Sequence, residues 1–551
     1  MKKKFLTAIA VFSAFSFLGV TVFADGIRTG KVLRRGISEI VVDESGNEIK
    51  PARHESSVLL MSSPLPEKFD SRDSGLITSV KDQGRFGTCW AHSTLSSAET
   101  SMIKKGLADN TLDYSELHLA YFTSKKDTFF GDGADKTDNK LGWFGGGNAR
   151  YAAFSMSNCQ GPVYEDDFPY GNASPLLSFS IDESDRYLSN AALVSWGKVD
   201  GADNIKRAIM EYGSLNAAYH DSSIYAGGKY YYCPTSNTTN HAITVIGWDD
   251  TVSKSYFVSA PPGDGAWLVK NSWGTAWGDN GYFYISYYDK TMGDFSFFDM
   301  DKPSGGSIYT YNGDLANYLM ATDLANVFRV ENSEMLSAVS FESVTMGSLT
   351  AKTYEINIYV SENKPESPSG GELVCTMRGN VDFDGYHRIP LDTPIQLSKG
   401  NYFSVAVSLK TEKDAPAAQY LEGYKESSSV TYSSEKGETY YLCGYAYGGL
   451  PIWKDVTEFP QPGTHYANAT IKAYTEPLST KLSIAGSTLF YSKVPDGAYL
   501  IEALYEGDKL KSFKRTKIND ENGSVKAAAE NATYMLWSAD FKKPLCEAIT
   551  K

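Results

Sequence analysis

From about residue 306 to the C-terminus, the chain carries runs in which apolar side chains recur at every second position, which argues for strands rather than helices in the back half. Tyr354, Ile356, Ile358 and Val360 alternate with Glu355, Asn357 and Tyr359, and Phe403, Val405, Val407 and Leu409 alternate with Ser404, Ala406 and Ser408. Successive side chains of a strand point to opposite faces, so each run buries one face and wets the other. Turn segments such as Ser398-Lys399-Gly400-Asn401 separate the runs. The pattern predicts a β-sandwich over 306–475. Residues 476–551 repeat the style, with Tyr499 to Tyr505 and Leu510 to Arg515 flanking Glu506-Gly507-Asp508 as a hairpin. They are expected to form a small second β-domain.

Residues 65–300 differ. They are dense in tryptophan and glycine and mix helical and strand periods. Trp90, Leu95, Ala98 and Met102-Ile103 recur at about the helical period, ahead of Lys104-Lys105 in the last turn and Gly106 as a C-terminal cap. Ala202 to Tyr212 gives a second helix, followed by Gly213. From His241 onward strands dominate, as in Ala242-Ile243-Thr244-Val245-Ile246 and Trp267-Leu268-Val269. The expected fold class is α+β in front and all-β behind.

The N-terminus carries Lys2-Lys3-Lys4, an apolar run from Phe5 to Phe23, and Val22-Phe23-Ala24, whose Val22 and Ala24 supply small residues at the cleavage positions. This predicts a secretory signal peptide over 1–24 and a polar leader or propeptide over 25–64, with one strand at Ile37 to Val42. The protein is therefore expected to be secreted or associated with the cell surface, with no transmembrane segment after signal cleavage. At 551 residues the chain has room for three to four domains of about 150 residues. Its net charge of −14, without a basic stripe, argues against nucleic acid as a partner. The six cysteines, Cys89, Cys159, Cys233, Cys375, Cys443 and Cys546, are too sparse for a disulfide scaffold, and no pair has metal-ligand spacing. Neither a metal nor a cofactor is expected.

Within Lys81-Asp82-Gln83-Gly84-Arg85-Phe86-Gly87-Thr88-Cys89-Trp90, a cysteine stands at the expected start of a helix. Free amide N–H groups there stabilise a thiolate, the form in which cysteine is a nucleophile. Gly84 and Gly87 let the backbone turn tightly. The Gln83 amide can donate to an oxyanion beside the Cys89 N–H. A thiolate of this kind needs a base. Of seven histidines, His241 at the mouth of an apolar strand is the strongest candidate, since a strand end is a rigid mount. Asn271 can accept from its ring, and Trp273 can cover that bond.

QGRFGTCW, NHAITVIGW and KNSWGTAWGDNGYFYI, in that order, resemble the three active-site blocks of the papain family of cysteine peptidases, and LPEKFDSRDSG resembles that family's mature start. The resemblance covers about residues 65–290. It implies a two-lobed catalytic domain with Cys89 as nucleophile, His241 as general base and acid, Asn271 as orienter and Gln83 as oxyanion donor. It also implies that Gly145, Gly146 and Gly147 pair with an extended polypeptide substrate, with Asn240, Ala149 and Trp273 near the binding pocket. The long spacing implies insertions at 124–142 and 221–239. The second cysteine that the family usually places at the position of Phe86, and its bridge partner near Phe144, are absent; Phe86 is expected to fill that volume. The order of domains resembles bacterial surface peptidases that carry a lectin-like domain after the catalytic one, which implies cell-wall or host glycans as partners.

The expected function is that of a secreted cysteine endopeptidase. Two rivals are a carbohydrate-binding adhesin with a degenerate peptidase domain and another Cys–His enzyme, such as a cell-wall amidase or a transglutaminase. Blander roles are assigned to Glu165-Asp166-Asp167 (a solvated acidic loop), Asp382-Phe383-Asp384-Gly385 (a plain turn rather than a calcium loop) and Tyr440-Tyr441 (packing).

Overall fold

The computed structural model describes residues 64–123, 144–158, 161–173 and 189–303 and, with short interruptions, 305–550. The expected signal peptide, leader and insertion at 124–142 lie outside the described residues. Four α-helices are described, all in the front half: α1 (Cys89–Lys104), α2 (Glu116–Thr123), α3 (Ala149–Ser157) and α4 (Ala202–Tyr212). Among the described residues no helix is long and apolar enough to cross a membrane.

α1 starts on the cysteine and runs to the lysine pair, as its period requires. Gly106 closes it, donating its N–H to the Ile103 carbonyl at 2.9 Å. Thirteen of its sixteen residues are buried, so its polar residues need partners inside the protein. α4 matches the expected span and sets Ile205 and Ile209 inward. α2 and α3 carry no signal of that kind. All eight residues of α2 are buried, so its sequence shows no polar face to give the helix away.

The front half is built on β1 (Lys68–Asp70), β2 (Ala192–Lys198), β3 (Leu215–Tyr219), β4 (His241–Asp249), β5 (Ala266–Lys270), β6 (Tyr282–Ser286) and β7 (Gly293–Asp301). Pairing runs β2-β7-β3-β4-β5-β6, with β1 on β4. Helices α1 to α3 surround a core around Trp90, Phe122 and Met156. On the sheet side, a second core forms around Trp248, Val269 and Phe283.

Behind it, β8 (Glu334–Ser343), β9 (Gly385–Leu397) and β10 (Lys472–Pro477) face a six-stranded sheet that includes 353–361 and 402–410. The alternating residues singled out above fill the space between the sheets: Ile356, Ile358, Phe403, Val405 and Val407 pack with Leu336, Val339, Phe341 and Ala473. Tyr440 and Tyr441 are buried packing residues. The expected hairpin forms from 499–506 and 509–517, and a small core around Leu500, Tyr534 and Leu536 lies beneath it.

One feature of the architecture has no counterpart in the sequence patterns. The first sheet does not stop at the end of the front half, because β9 pairs with β2 through Gly385↔Gly197, Tyr386↔Trp196 and His387↔Ser195. A single 13-stranded sheet therefore runs from the front half into the sandwich.

Candidate active site

Cys89 is the first residue of α1, and the first turn of a helix leaves its N–H groups without intrahelical acceptors. The backbone N–H groups of Ala242, Trp90 and Cys89 itself favour the charged form of the thiol. Burial is nevertheless the larger effect and pushes the thiol above its ordinary value of 9.0, while those three donors pull it back. Ala242 directly follows His241, so the mouth of β4 stands near the mouth of α1. A tie between the two lies one turn deeper, where Ser93 Oγ is 2.6 Å from the Ile243 carbonyl oxygen and 2.7 Å from Asn216 Oδ1.

His241 opens β4 and is 7% exposed. Its Nε2–H donates to Asn271 Oδ1 at 2.8 Å. The Ser272 N–H donates to the same oxygen at 2.8 Å, which fixes the end of the carboxamide that faces the ring. With Nε2 taken, Nδ1 is the nitrogen left for a thiol proton. The imidazole stacks on the Trp273 indole at 4.5 Å between centroids and 25° between planes. Trp277 meets Trp273 edge-on at 5.0 Å. Burial pushes the imidazole below its ordinary 6.5, and the Asn271 bond partly offsets this.

Gln83 is buried and doubly held. Ser272 Oγ donates to its Oε1 at 2.7 Å, and its Nε2 donates to the Phe86 carbonyl at 2.8 Å. One amide hydrogen of Nε2 is left over. The Tyr170 hydroxyl donates to the Gln83 carbonyl at 2.9 Å and lies 2.6 Å from Thr88 Oγ1. Ser272, Ser93 and Tyr170 were not singled out in the sequence. The signal for Ser272 lay inside the KNSWG block, whereas those for Ser93 and Tyr170 exist only in three dimensions.

The glycine loop lies beside the cysteine. Gly87 donates its N–H to the Phe144 carbonyl at 2.9 Å, and a Cβ on Gly87 would stand 2.6 Å from that oxygen. A Cβ on Gly147 would strike the Trp90 indole at 2.4 Å, so only glycine lets the loop lie against the ring. Phe86 and Phe144 pack at 5.6 Å, occupying the place where the resemblance would put a disulfide. Ala149 is buried in the core with Trp90. Asn240 uses its carboxamide on the 221 loop, accepting from the Asp221 N–H at 2.6 Å and donating to the Asp221 carbonyl at 3.0 Å.

His92 does not join Cys89 and His241. Its ring is buried and lies 3.0 Å from the Thr88 carbonyl and edge-on to Tyr170. Behind the site, Lys81 Nζ contacts Glu99 at 3.1 Å, Glu116 at 2.8 Å and Asp113 at 2.5 Å. Lys270 Nζ donates to Thr78 Oγ1 and Ser96 Oγ, each at 3.1 Å. These buried charges hold the residues before Gln83, α1 and the residue before Asn271 in one block. Glu165 is not the solvated carboxylate expected. It is half-buried, accepts from the Tyr170 N–H at 2.6 Å, and is raised by burial to about 7.

Among the described residues no cluster of His, Cys, Asp or Glu is arranged to hold a metal ion. Phe383 of the Asp382–Gly385 turn is a wedge, stacked on His387 at 4.1 Å and edge-on to Phe297 at 4.8 Å.

Comparison with known proteins follows the same division. Residues 65–295 match the model of the papain family of cysteine proteases, and residues 308–475 match that of a lectin-like domain. The chain is 27% identical over 230 residues to a viral cathepsin of Adoxophyes honmai nucleopolyhedrovirus, covering 40% of this chain and 57% of that protein. It is 30% identical over 233 residues to a probable cysteine protease of Arabidopsis thaliana, covering 41% of this chain and 60% of that protein. The match thus spans less than two thirds of these relatives' own length. Among solved structures, the clostridial cysteine protease Cwp84 after propeptide cleavage is 26% identical with a TM-score of 0.61, covering 74% of this chain and 99% of that chain. The cysteine protease and lectin-like domains of Cwp84, a surface layer associated protein of Clostridium difficile, are 25% identical at the same TM-score, covering 75% and 89%.

Proposed function

We propose, on the premise that this chain is a papain-like cysteine peptidase with a lectin-like domain behind its catalytic domain, that Cys89, His241, Asn271 and Gln83 hydrolyse peptide bonds of polypeptides outside the cell. The observation that carries the reading is the His241 ring, whose Nε2 is fixed by Asn271 at 2.8 Å while the next residue, Ala242, lies near enough to the Cys89 thiol to favour its charged form.

The chemistry follows from the atoms available. His241 Nδ1 takes the thiol proton as the sulfur attacks the peptide carbonyl carbon. A C–S bond forms, and the carbonyl π pair moves to oxygen. That oxyanion accepts from the Cys89 N–H and from the free hydrogen on Gln83 Nε2. Collapse breaks the C–N bond, and the leaving amine takes the proton from His241. A water, deprotonated by the same nitrogen, then attacks the thioester and expels the Cys89 thiolate, which recovers its proton. Asn271 keeps the tautomer and ring plane constant through both halves. Trp273 excludes water from the His241–Asn271 bond.

The exposed Gly145–Gly147 loop beside Cys89 supports a role as the platform for extended substrate. Trp273, stacked on His241, and Asn240, the residue before His241, are assigned to the same substrate site. Export rests on the charged and apolar N-terminal pattern, and a surface location is in keeping with the printed description of Cwp84. A glycan of the wall or host is the partner that a lectin-like region best fits. Retention of all four candidate catalytic positions speaks against the adhesin with a degenerate peptidase. The test is hydrolysis of a denatured protein by the full chain under reducing conditions. Activity that disappears in Cys89→Ala is expected; an inert wild type, or an active Cys89→Ala, overturns the proposal. A glycan array probed with the Cys89→Ala chain tests the second partner, and no binding to any glycan on it leaves that region a structural role only.

A further inference from the structure

We infer that the lectin-like region forms part of the substrate-binding side of the catalytic domain, with Lys472 and Glu342 as positioning residues for the Gly145–Gly147 loop. This rests on the reading of that loop as a substrate platform.

The loop leads directly into α3, whose N-terminus is capped by Asn148 Oδ1 accepting from the Tyr151 N–H at 3.2 Å. Both ends of α3 are held from β8 and β10. At its first turn, Arg150 Nη2 and Nε reach Glu342 Oε1 at 2.9 and 3.2 Å, and the Glu342 side chain is 2% exposed. At its last turn, Lys472 Nζ donates to Ser157 Oγ at 2.8 Å and to Asn158 Oδ1. Lys472 is 0% exposed. Ser340 of β8 is the register partner of Lys472, so both anchors stand on adjacent strands of the same sheet. The two contacts are about 10 Å apart along the helix axis, which fixes its tilt as well as its position.

The packing agrees. The core that holds Trp90, Ala149, Ala152 and Met156 also contains Ala338, Tyr386 and Tyr474 of the lectin-like region. Trp90 adjoins Cys89 and carries Gly147 on its ring. Nucleophile, glycine loop, α3 and lectin-like strands are thus contiguous, and β9 on β2 makes the backbone of the junction a sheet rather than a hinge. Apolar side chains of similar volume often stabilise a buried site as well as an ion pair does. What the charges add is direction: each accepts α3 in one pose only. Burial raises the Glu342 carboxyl, and Arg150 and Lys472 pull it back, so the two anchors are electrostatically linked.

The test uses the full chain and the variants Lys472→Met, Glu342→Gln and Ser157→Ala. Each is expected to raise KM for an extended peptide about fivefold while kcat stays within about twofold, the pattern of lost ground-state positioning. The alkylation rate of Cys89 by iodoacetamide, which needs no loop, is expected to be unchanged. Hydrogen exchange of amides 144–158 is expected to rise about tenfold while that of β4 does not. Wild-type KM and exchange in all three variants overturn the inference. So does a parallel loss of kcat, alkylation and β4 protection, which marks general destabilisation. The exchange measurement does not depend on which residues catalyse, and activity in Cys89→Ala strikes the catalytic assignment alone, so the two failures are distinguishable.

Discussion

The imidazole of His241 is held by the carboxamide of Asn271 at 2.8 Å, and the Trp273 indole lies over the ring at 4.5 Å. Removing the acceptor frees the ring to rotate and to adopt the other tautomer. Asn271→Ala is expected to lower kcat about 100-fold with KM nearly unchanged, as steady-state kinetics on a peptide substrate will show. Trp273→Ala leaves the bond in place but wet, so a smaller loss of about 10-fold is expected.

Gln83 tests the oxyanion. Its Nε2 has one hydrogen engaged by the Phe86 carbonyl, so the other is the one the proposal assigns to the oxyanion. Gln83→Ala is expected to cost about 10² to 10³ in kcat. Ser272→Ala removes only the tether on Oε1 and is expected to cost less.

The pH profile follows from two opposed shifts. Burial lowers His241 below 6.5 and raises Cys89 above 9.0. The active form of the pair carries one proton between the two groups. Activity is lost on the acid side when a second proton binds and on the alkaline side when the last one leaves. The profile of kcat/KM is therefore expected to be a plateau with its acid limb below pH 6.5 and its alkaline limb above pH 9.0. A narrow bell centred inside those limits contradicts the reading.

Lys81 sits among three carboxylates, of which Glu99 and Glu116 are almost fully buried. Lys81→Met leaves those charges without their partner. It is expected to destabilise the protein by about 3–5 kcal/mol in urea unfolding. Glu116 is held below its ordinary 4.5, with burial the largest influence but Lys81 and its other partners outweighing it. Its contribution is therefore present above 4.5 and lost as pH falls through its lower folded value.

Glu165 behaves in the opposite sense. Its folded value of about 7 exceeds 4.5, so its neutral form stabilises the protein at low pH and this contribution is lost as pH rises through about 7. Glu165→Gln keeps an acceptor for the Tyr170 N–H. Allowing for its partial exposure, it is expected to add about 1 kcal/mol at about pH 8 and almost nothing at about pH 4.

Much of the candidate site was legible because its residues lie in local blocks. Cys89 with Gln83, His241 on its strand, and Asn271 with Trp273 each sit in a short segment whose residue types have few other uses together. The period-two runs around Ile356 and Val405 were legible for the same reason, since alternation is a property of neighbouring residues. What escaped notice depends on distant pairs. α2 has no polar face, because every side of it is covered. Lys472 is a lysine in a β-rich stretch, which ordinarily marks solvent, yet its partners Ser157 and Asn158 lie more than 300 residues away in sequence. The continuation of the sheet through His387↔Ser195 depends on register alone. Glu165 stands next to two exposed aspartates, and only the fold distinguishes it from them.

The central claim is that Cys89 and His241 act as one pair, and competitive thiol labelling tests it most directly. Among the described residues Cys89, Cys233, Cys375 and Cys443 form no disulfide, so the last three serve as internal standards for the first. With limiting iodoacetamide at neutral pH and mass-spectrometric readout, Cys89 is expected to be alkylated well ahead of Cys375 and Cys443. His241→Ala is expected to abolish that lead. Equal labelling of Cys89, Cys375 and Cys443 in the wild type, or a Cys89 lead that survives without the imidazole, contradicts the account.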